Sequence, residues 1–187
     1  MKIIKNIFDS VLLIQPQVFT DNRGFFFESY QKEKLLVIGI KENFIQDNQS
    51  FSKDSDTVRG MHFQSPPHAQ TKLIRVIRGS ILNVVIDIRK GSPTFKKHKT
   101  FELSSENKLL LYLPVGFANG FKTLEDDCEI QYKVDKYYAP ESDNSFAYND
   151  KDINIGWDVK RPILSERDKN APSFSEIDIP FLYGENS

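Results

Sequence analysis

The chain is poor in several things at once, and each shortage closes a route. It has one cysteine, Cys128, so no disulfide forms within it. That residue sits in the strand-like run Cys128-Glu129-Ile130-Gln131-Tyr132 with no partner base beside it, which reads as a small core residue and not a catalytic thiol. Histidine is scarce: His62, His68 and His98 only, with no His-X-His pair. A two-histidine, one-carboxylate site needs a second imidazole close by, so no metal is expected. Net charge is almost absent, 25 Lys+Arg against 26 Asp+Glu, and no global field draws the chain to nucleic acid or membrane. No apolar run approaches the roughly 20 residues of a membrane span. The opening Met1-Lys2-Ile3-Ile4-Lys5-Asn6 lacks the apolar stretch of a signal peptide. The expectation is a cytoplasmic protein without nucleic-acid or membrane partners.

Aromatics, by contrast, are plentiful: 15 Phe and 7 Tyr in 187 residues. They favour strands. Short strand patterns follow one another closely: 11–14, 24–30, 44–48, 58–64, 71–77, 81–88, 99–103, 109–113, 118–124 and 129–134. Only 31–37 reads as a helix of any length. Gly79, between two strand patterns, reads as a hairpin turn. Many short strands with few helices predict a mainly β protein, a cupin-type jelly-roll β-barrel with a few short peripheral helices. One domain is expected over 1–187, with a C-terminal packing tail from about 158. In that tail Ser165 is placed to cap a short helical turn, and Trp157 reads as packing.

The chemistry concentrates in Val58-Arg59-Gly60-Met61-His62-Phe63-Gln64. Strict alternation would turn Arg59, Met61 and Phe63 one way and Gly60, His62 and Gln64 the other. A lone strand histidine is more often structural than catalytic. Here, however, other polar residues recur at strand spacing: Gln46, Asn48 and Ser50; Lys72 with Ile74, Arg75 facing away; Tyr132 between Ile130 and Val134. A barrel lined by these makes a poor core and a good pocket for a polar ligand. Without thiol, metal or cofactor motif, the chemistry left is acid–base. An imidazole removes a proton beside a carbonyl, a carboxylate orients it, a lysine stabilises the enolate oxygen, and a tyrosine returns the proton.

These segments resemble the dTDP-4-dehydrorhamnose 3,5-epimerase family. The matching stretches are Asp21-Asn22-Arg23-Gly24-Phe25-Phe26-Phe27-Glu28-Ser29, Phe44 to Ser50, Val58 to Gln64, Pro66 to Arg75, Asp87 to Phe95, Pro114 to Phe121, Tyr132-Lys133, Tyr137 to Pro140 and Pro162 to Asp168. Each is weak alone; all of them in this order are specific. The resemblance implies a homodimeric cupin without cofactor that epimerises C3 and/or C5 of a nucleotide-linked 4-keto sugar through an enolate. It implies His62 as base, Asp168 as its carboxylate partner, Tyr132 as proton donor on the opposite face and Lys72 beside the 4-keto oxygen. Arg59 matches a diphosphate ligand. Arg23, Phe26 and Glu28 match residues that reach the nucleotide from the neighbouring subunit. Gln46, Asn48 and Tyr138 match further contacts.

Plainer readings stand beside these. Arg23 and Glu28 suit an ordinary surface pair, and of Phe25, Phe26 and Phe27 at least one should be core. The chain also departs from the family. Asn119 stands where histidine is usual and cannot shuttle a proton; Arg167 stands where lysine is common, and Asp143 where a longer carboxylate occurs. All three are candidate substrate ligands. Relatives act on dTDP-linked hexoses or GDP-linked heptoses destined for bacterial surface polysaccharides, and some invert C3 alone or C5 alone. A ketoisomerase and a non-catalytic sugar-nucleotide-binding cupin are the readings of other kinds.

Overall fold

The computed structural model describes residues 1–184. Among these residues thirteen strands form: β1 (Lys2–Ile7), β2 (Val11–Gln15), β3 (Val18–Asp21), β4 (Gly24–Phe27), β5 (Gln46–Ser52), β6 (Val58–Gln64), β7 (Lys72–Arg78), β8 (Ser80–Asp87), β9 (His98–Ser104), β10 (Leu110–Leu113), β11 (Phe117–Thr123), β12 (Cys128–Val134) and β13 (Asp143–Ser145). Helix α1 (Lys32–Val37) follows β4, and α2 (Glu166–Lys169) lies in the tail. One sheet runs β1-β2-β10-β7-β12-β5, a second β13-β6-β11-β8-β9, and β3-β4 make a separate ribbon.

Period-two burial builds the layers. Val11, Leu13, Ile74, Val76, Leu111, Leu113 and Ile130 of the first sheet meet Ile81, Val85, Phe101, Leu103 and Phe117 of the second. Their neighbours Ile14, Leu73, Leu110 and Tyr112 point outward and are covered by Leu35 of α1 and by Ile40. On the outer face of the second sheet, Val58, Met61, Phe63, Val84, Ile86 and Ile88 are buried under Phe146, Trp157, Phe174, Ile179 and Phe181. Two facing antiparallel sheets with ligand-sized space between them make the expected cupin-type jelly roll. Cys128 is fully buried between the sheets, as expected.

Gly79 departs from the reading above. It joins β7 to β8, but these strands lie in different sheets, so it turns a corner and closes no hairpin. Its φ is +78°, and a Cβ there would stand 2.6 Å from Cys128 Sγ, so glycine is needed in either geometry. Sequence spacing registers the turn but not the sheet the chain enters next. The three consecutive phenylalanines also differ: Phe25 and Phe26 are exposed and Phe27 only half-buried, because they lie on the ribbon outside both sheets.

Candidate active site

Between the sheets lies a cavity of about 220 Å³ lined by Ser50, Arg59, His62, Lys72, Ile74, Asn119, Gly120, Phe121, Ile130 and Tyr132. His62 and Asn119 come from the second sheet, Lys72 and Tyr132 from the first, so the cavity presents different chemistry on opposed walls. Ser50, Ile74 and Ile130 were legible as alternation partners of Asn48, Lys72 and Tyr132. Gly120 and Phe121 carried no comparable signal.

Arg59 and His62 should face opposite ways on a regular strand, yet both line this cavity. The β6–β11 ladder explains it. His62 pairs with Asn119 and Arg59 with Phe121, so Gly60 and Met61 together oppose Gly120 alone. The extra residue is a bulge and resets the alternation. Gly60 permits it: φ is +121°, and a Cβ would lie 2.6 Å from Gly120 Cα and 2.9 Å from the Asn119 carbonyl oxygen. Met61 and Phe63 still point to the outer core. Gln64 does not face the cavity with His62; its Nε2 donates to the carbonyls of His68 and Tyr137 and ties the following loop.

Asp168 stands behind His62. His62 Nε2 lies 2.7 Å from Asp168 Oδ1. Ser165 caps α2 by accepting from the Asp168 N–H at 3.1 Å, which sets the carboxylate in place. Burial pushes the Asp168 carboxyl up, but hydrogen bonds from His62, Ser165 and the Gly60 N–H outweigh it and hold it below the usual range. Because Nε2 serves the carboxylate, Nδ1 is left as the ring's basic atom.

On the facing wall, Lys72 Nζ lies 5.8 Å from the Tyr132 ring centre. Burial lowers the Lys72 ammonium to about 8; Asp143 opposes this and Arg167 reinforces it. Burial raises the Tyr132 phenol, with Asp143 adding to the shift and Arg59 opposing it, so the phenol keeps its proton at neutral pH. Arg59 is held by its Nε donating to Ser52 Oγ at 3.2 Å and its Nη2 to the Phe51 carbonyl at 2.9 Å. Asp143 Oδ2 accepts from Tyr138 at 3.1 Å and from Arg167 at 2.6 Å, which joins those three expected ligands into one cluster. Gln46 Nε2 donates to Asn48 Oδ1 at 2.8 Å; both share the strand face of Ser50.

Three expected residues lie elsewhere. Arg23 pairs with Asp21 at 2.6 Å, and Glu28 pairs with Lys34; they do not pair with each other. Phe26 is two-thirds exposed. The ribbon's Phe27 lies beneath Arg75, on the outer face of the first sheet and away from the cavity. Among the described residues no cluster of three or more His, Cys, Asp or Glu suits a metal ion. No helix among them is long and apolar enough to cross a membrane.

A β-barrel with a carboxylate-held imidazole on one wall and a protonated phenol beside an ammonium on the other suits an acid–base isomerase working beside a carbonyl. The family model for dTDP-4-dehydrorhamnose 3,5-epimerase matches residues 5–176. The dTDP-4-dehydrorhamnose 3,5-epimerase of Shigella flexneri is 44% identical over 95% of this chain and 98% of its own length. The Bacillus anthracis enzyme of that name, solved with TDP and PPi bound, superposes with a TM-score of 0.91 at 46% identity, covering 92% of this chain and 98% of that one. The dTDP-6-deoxy-D-glucose-3,5-epimerase of Legionella pneumophila, solved with dTDP-4-keto-L-rhamnose, gives 0.92 at 38% identity, covering 100% and 99%. The chain belongs to the dTDP-4-dehydrorhamnose 3,5-epimerase family and is an epimerase of nucleotide-linked 4-keto sugars.

Proposed function

We propose that the protein inverts C3 and C5 of a dTDP-linked 4-keto sugar, with the proton removed from one wall of the barrel and returned from the other. The observation that carries this is the His62–Asp168 contact of 2.7 Å on the second sheet, opposite Lys72 and Tyr132 on the first. His62 Nδ1 takes the proton beside the 4-keto group, and the C–H electrons move to the keto oxygen to give the enolate. Lys72 stabilises that oxygen. Tyr132 donates its proton to the opposite face, the carbonyl re-forms and the centre is inverted. The His62 proton then passes through solvent to the Tyr132 phenolate, so the cycle is neutral in protons and electrons. A ring flip presents the second carbon to the same pair.

Arg59 is placed for the diphosphate, since a guanidinium pairs bidentately with phosphate oxygens. The Tyr138–Asp143–Arg167 cluster, with Gln46 and Asn48, is assigned to the remaining substrate contacts. The protein acts as a homodimer in which Arg23, Phe26 and Glu28 of one subunit reach the nucleotide of the other. The exposed ribbon, with Phe19, Phe25 and Phe26 each more than half exposed, supports that reading. Relatives solved with TDP or dTDP-4-keto-L-rhamnose support dTDP over GDP.

The test is incubation in D2O with dTDP-4-keto-6-deoxyglucose and, in parallel, a GDP-linked 4-keto heptose. Deuterium at C3 and C5 of the dTDP sugar is expected. Deuterium at one carbon only restricts the reaction to that centre. Label in the GDP sugar alone reassigns the nucleotide, and no label in either overturns the epimerase reading.

A further inference from the structure

Asn119 faces the cavity beside His62, its partner across the β6–β11 ladder. Its Nδ2 donates twice, to Asn83 Oδ1 at 2.9 Å and to the Val84 carbonyl at 3.0 Å. The second partner settles which way the amide points. A main-chain carbonyl only accepts, so the nitrogen must face it and the oxygen cannot. With both N–H bonds used, Oδ1 is the only polar atom Asn119 has for the cavity. No hydrogen bond to Oδ1 forms among the described residues.

Asn83 gives up something to hold this arrangement. It is fully buried on the inward face of β8, between Ile81 and Val85. Its oxygen serves Asn119, and its own Nδ2 has no partner among the described residues. A buried donor left unpaired is costly. Turning the Asn83 amide over would set its Nδ2 against the Asn119 nitrogen, two donors facing each other, so the Asn119 orientation and the orphan donor go together.

Resting on the epimerase reading above, we infer that Asn119 is a specificity-determining residue whose Oδ1 accepts a hydrogen bond from a ring hydroxyl of the sugar, and that Asn83 is the positioning residue that keeps it an acceptor. An acceptor attracts a hydroxyl and repels a keto or enolate oxygen. It therefore turns the hydroxyl-bearing side of the ring towards the His62 wall and leaves the 4-keto oxygen to Lys72. An amide does not titrate near neutrality, so this selection is independent of pH.

The experiment compares the dTDP-4-keto sugar with analogues lacking the C2 or the C3 hydroxyl. Exchange is read at C5, which neither deletion touches, and affinity is read by calorimetry. Wild-type protein should favour the parent over one analogue by about tenfold in kcat/KM and in affinity. Asn119→Leu should lose that factor on the parent and nothing on the disfavoured analogue. Asn83→Leu should raise KM in the same selective way with kcat nearly unchanged, and Asn83→Asp, which keeps an acceptor for Asn119, should restore the preference. Wild-type protein with no preference for either hydroxyl overturns the inference without any variant. Equal losses on parent and both analogues in Asn119→Leu also overturn it, since that marks a packing role. Failure of the epimerase reading shows separately, as wild-type protein that binds the parent but exchanges nothing; the affinity ratios still decide the role of Asn119.

Discussion

His62 and Asp168 are 106 residues apart, yet Nε2 and Oδ1 meet at 2.7 Å because α2 docks behind β6. The carboxylate is nearly fully buried and the ring 29% exposed, so the pair is supported from inside and open to the cavity. His62→Asn should therefore abolish deuterium incorporation, while its melting temperature stays within a few degrees of wild type. Asp168→Asn should lower kcat by about a hundredfold or more, the range for a disoriented general base. Mass spectrometry of sugar incubated in D2O reads both.

The same pair sets a pH window for stability. The Asp168 carboxyl lies below its ordinary 3.8 in the folded protein. The ionised form is thus favoured by folding. Its contribution is complete above that ordinary value and lost as pH falls through the folded value. The melting-temperature advantage of wild type over Asp168→Asn should be constant from about pH 5 upward and narrow in stronger acid.

In the proposed mechanism Lys72 sets an alkaline limit on activity. Its ammonium titrates at about 8. Below that pH the cation is present to meet the enolate; above it the charge is lost. The exchange rate should fall about tenfold per pH unit well above 8. Lys72→Met should be slow at all pH values and lack that limb, and Lys72→Arg should keep part of the rate and shift the limb beyond the assay range.

Tyr132→Phe should separate two events that wild type couples. His62 still removes the proton, and its conjugate acid can return deuterium to the same face. Exchange should persist at a reduced rate while inversion falls by about a hundredfold or more. NMR of recovered sugar gives the exchange-to-inversion ratio. A ratio unchanged from wild type would refute Tyr132 as the donor.

Gly60→Ala tests the bulge. The added Cβ meets Gly120 backbone at 2.6 Å in a conformation of positive φ. A loss of about 2–4 kcal/mol is expected, or a melting temperature lower by roughly 5–10 °C. Activity should fall further than stability explains, because Arg59 and His62 share the cavity only through this bulge.

Much of the barrel was legible because strands announce themselves by period two. The alternation of Lys72 with Ile74, of Tyr132 with Ile130 and of Asn48 with Ser50 placed those residues on the inward face, and the structure keeps them there. The Ser165 cap and the turn it begins were readable for the same local reason. Arg59 was misplaced relative to His62 because a bulge depends on the partner strand, and β11 is some sixty residues away in sequence. Gly79 was misread because a positive-φ glycine suits a hairpin and a corner equally.

The sequence by itself determined the residue types and much of their local facing: an imidazole, a carboxylate, a lysine and a phenol on strands and one short helix, in an order specific to one enzyme family. Tertiary structure alone decided which of them meet. It brought α2 to His62, set Lys72 and Tyr132 on the wall opposite His62, left the Arg23 ribbon outside its own cavity, and turned the Asn119 amide so that its nitrogen is held by Asn83 and the Val84 carbonyl. Each of those outcomes depends on contacts between segments far apart in the chain, where pairing, burial and hydrogen bonding are settled together and local spacing carries no record of them.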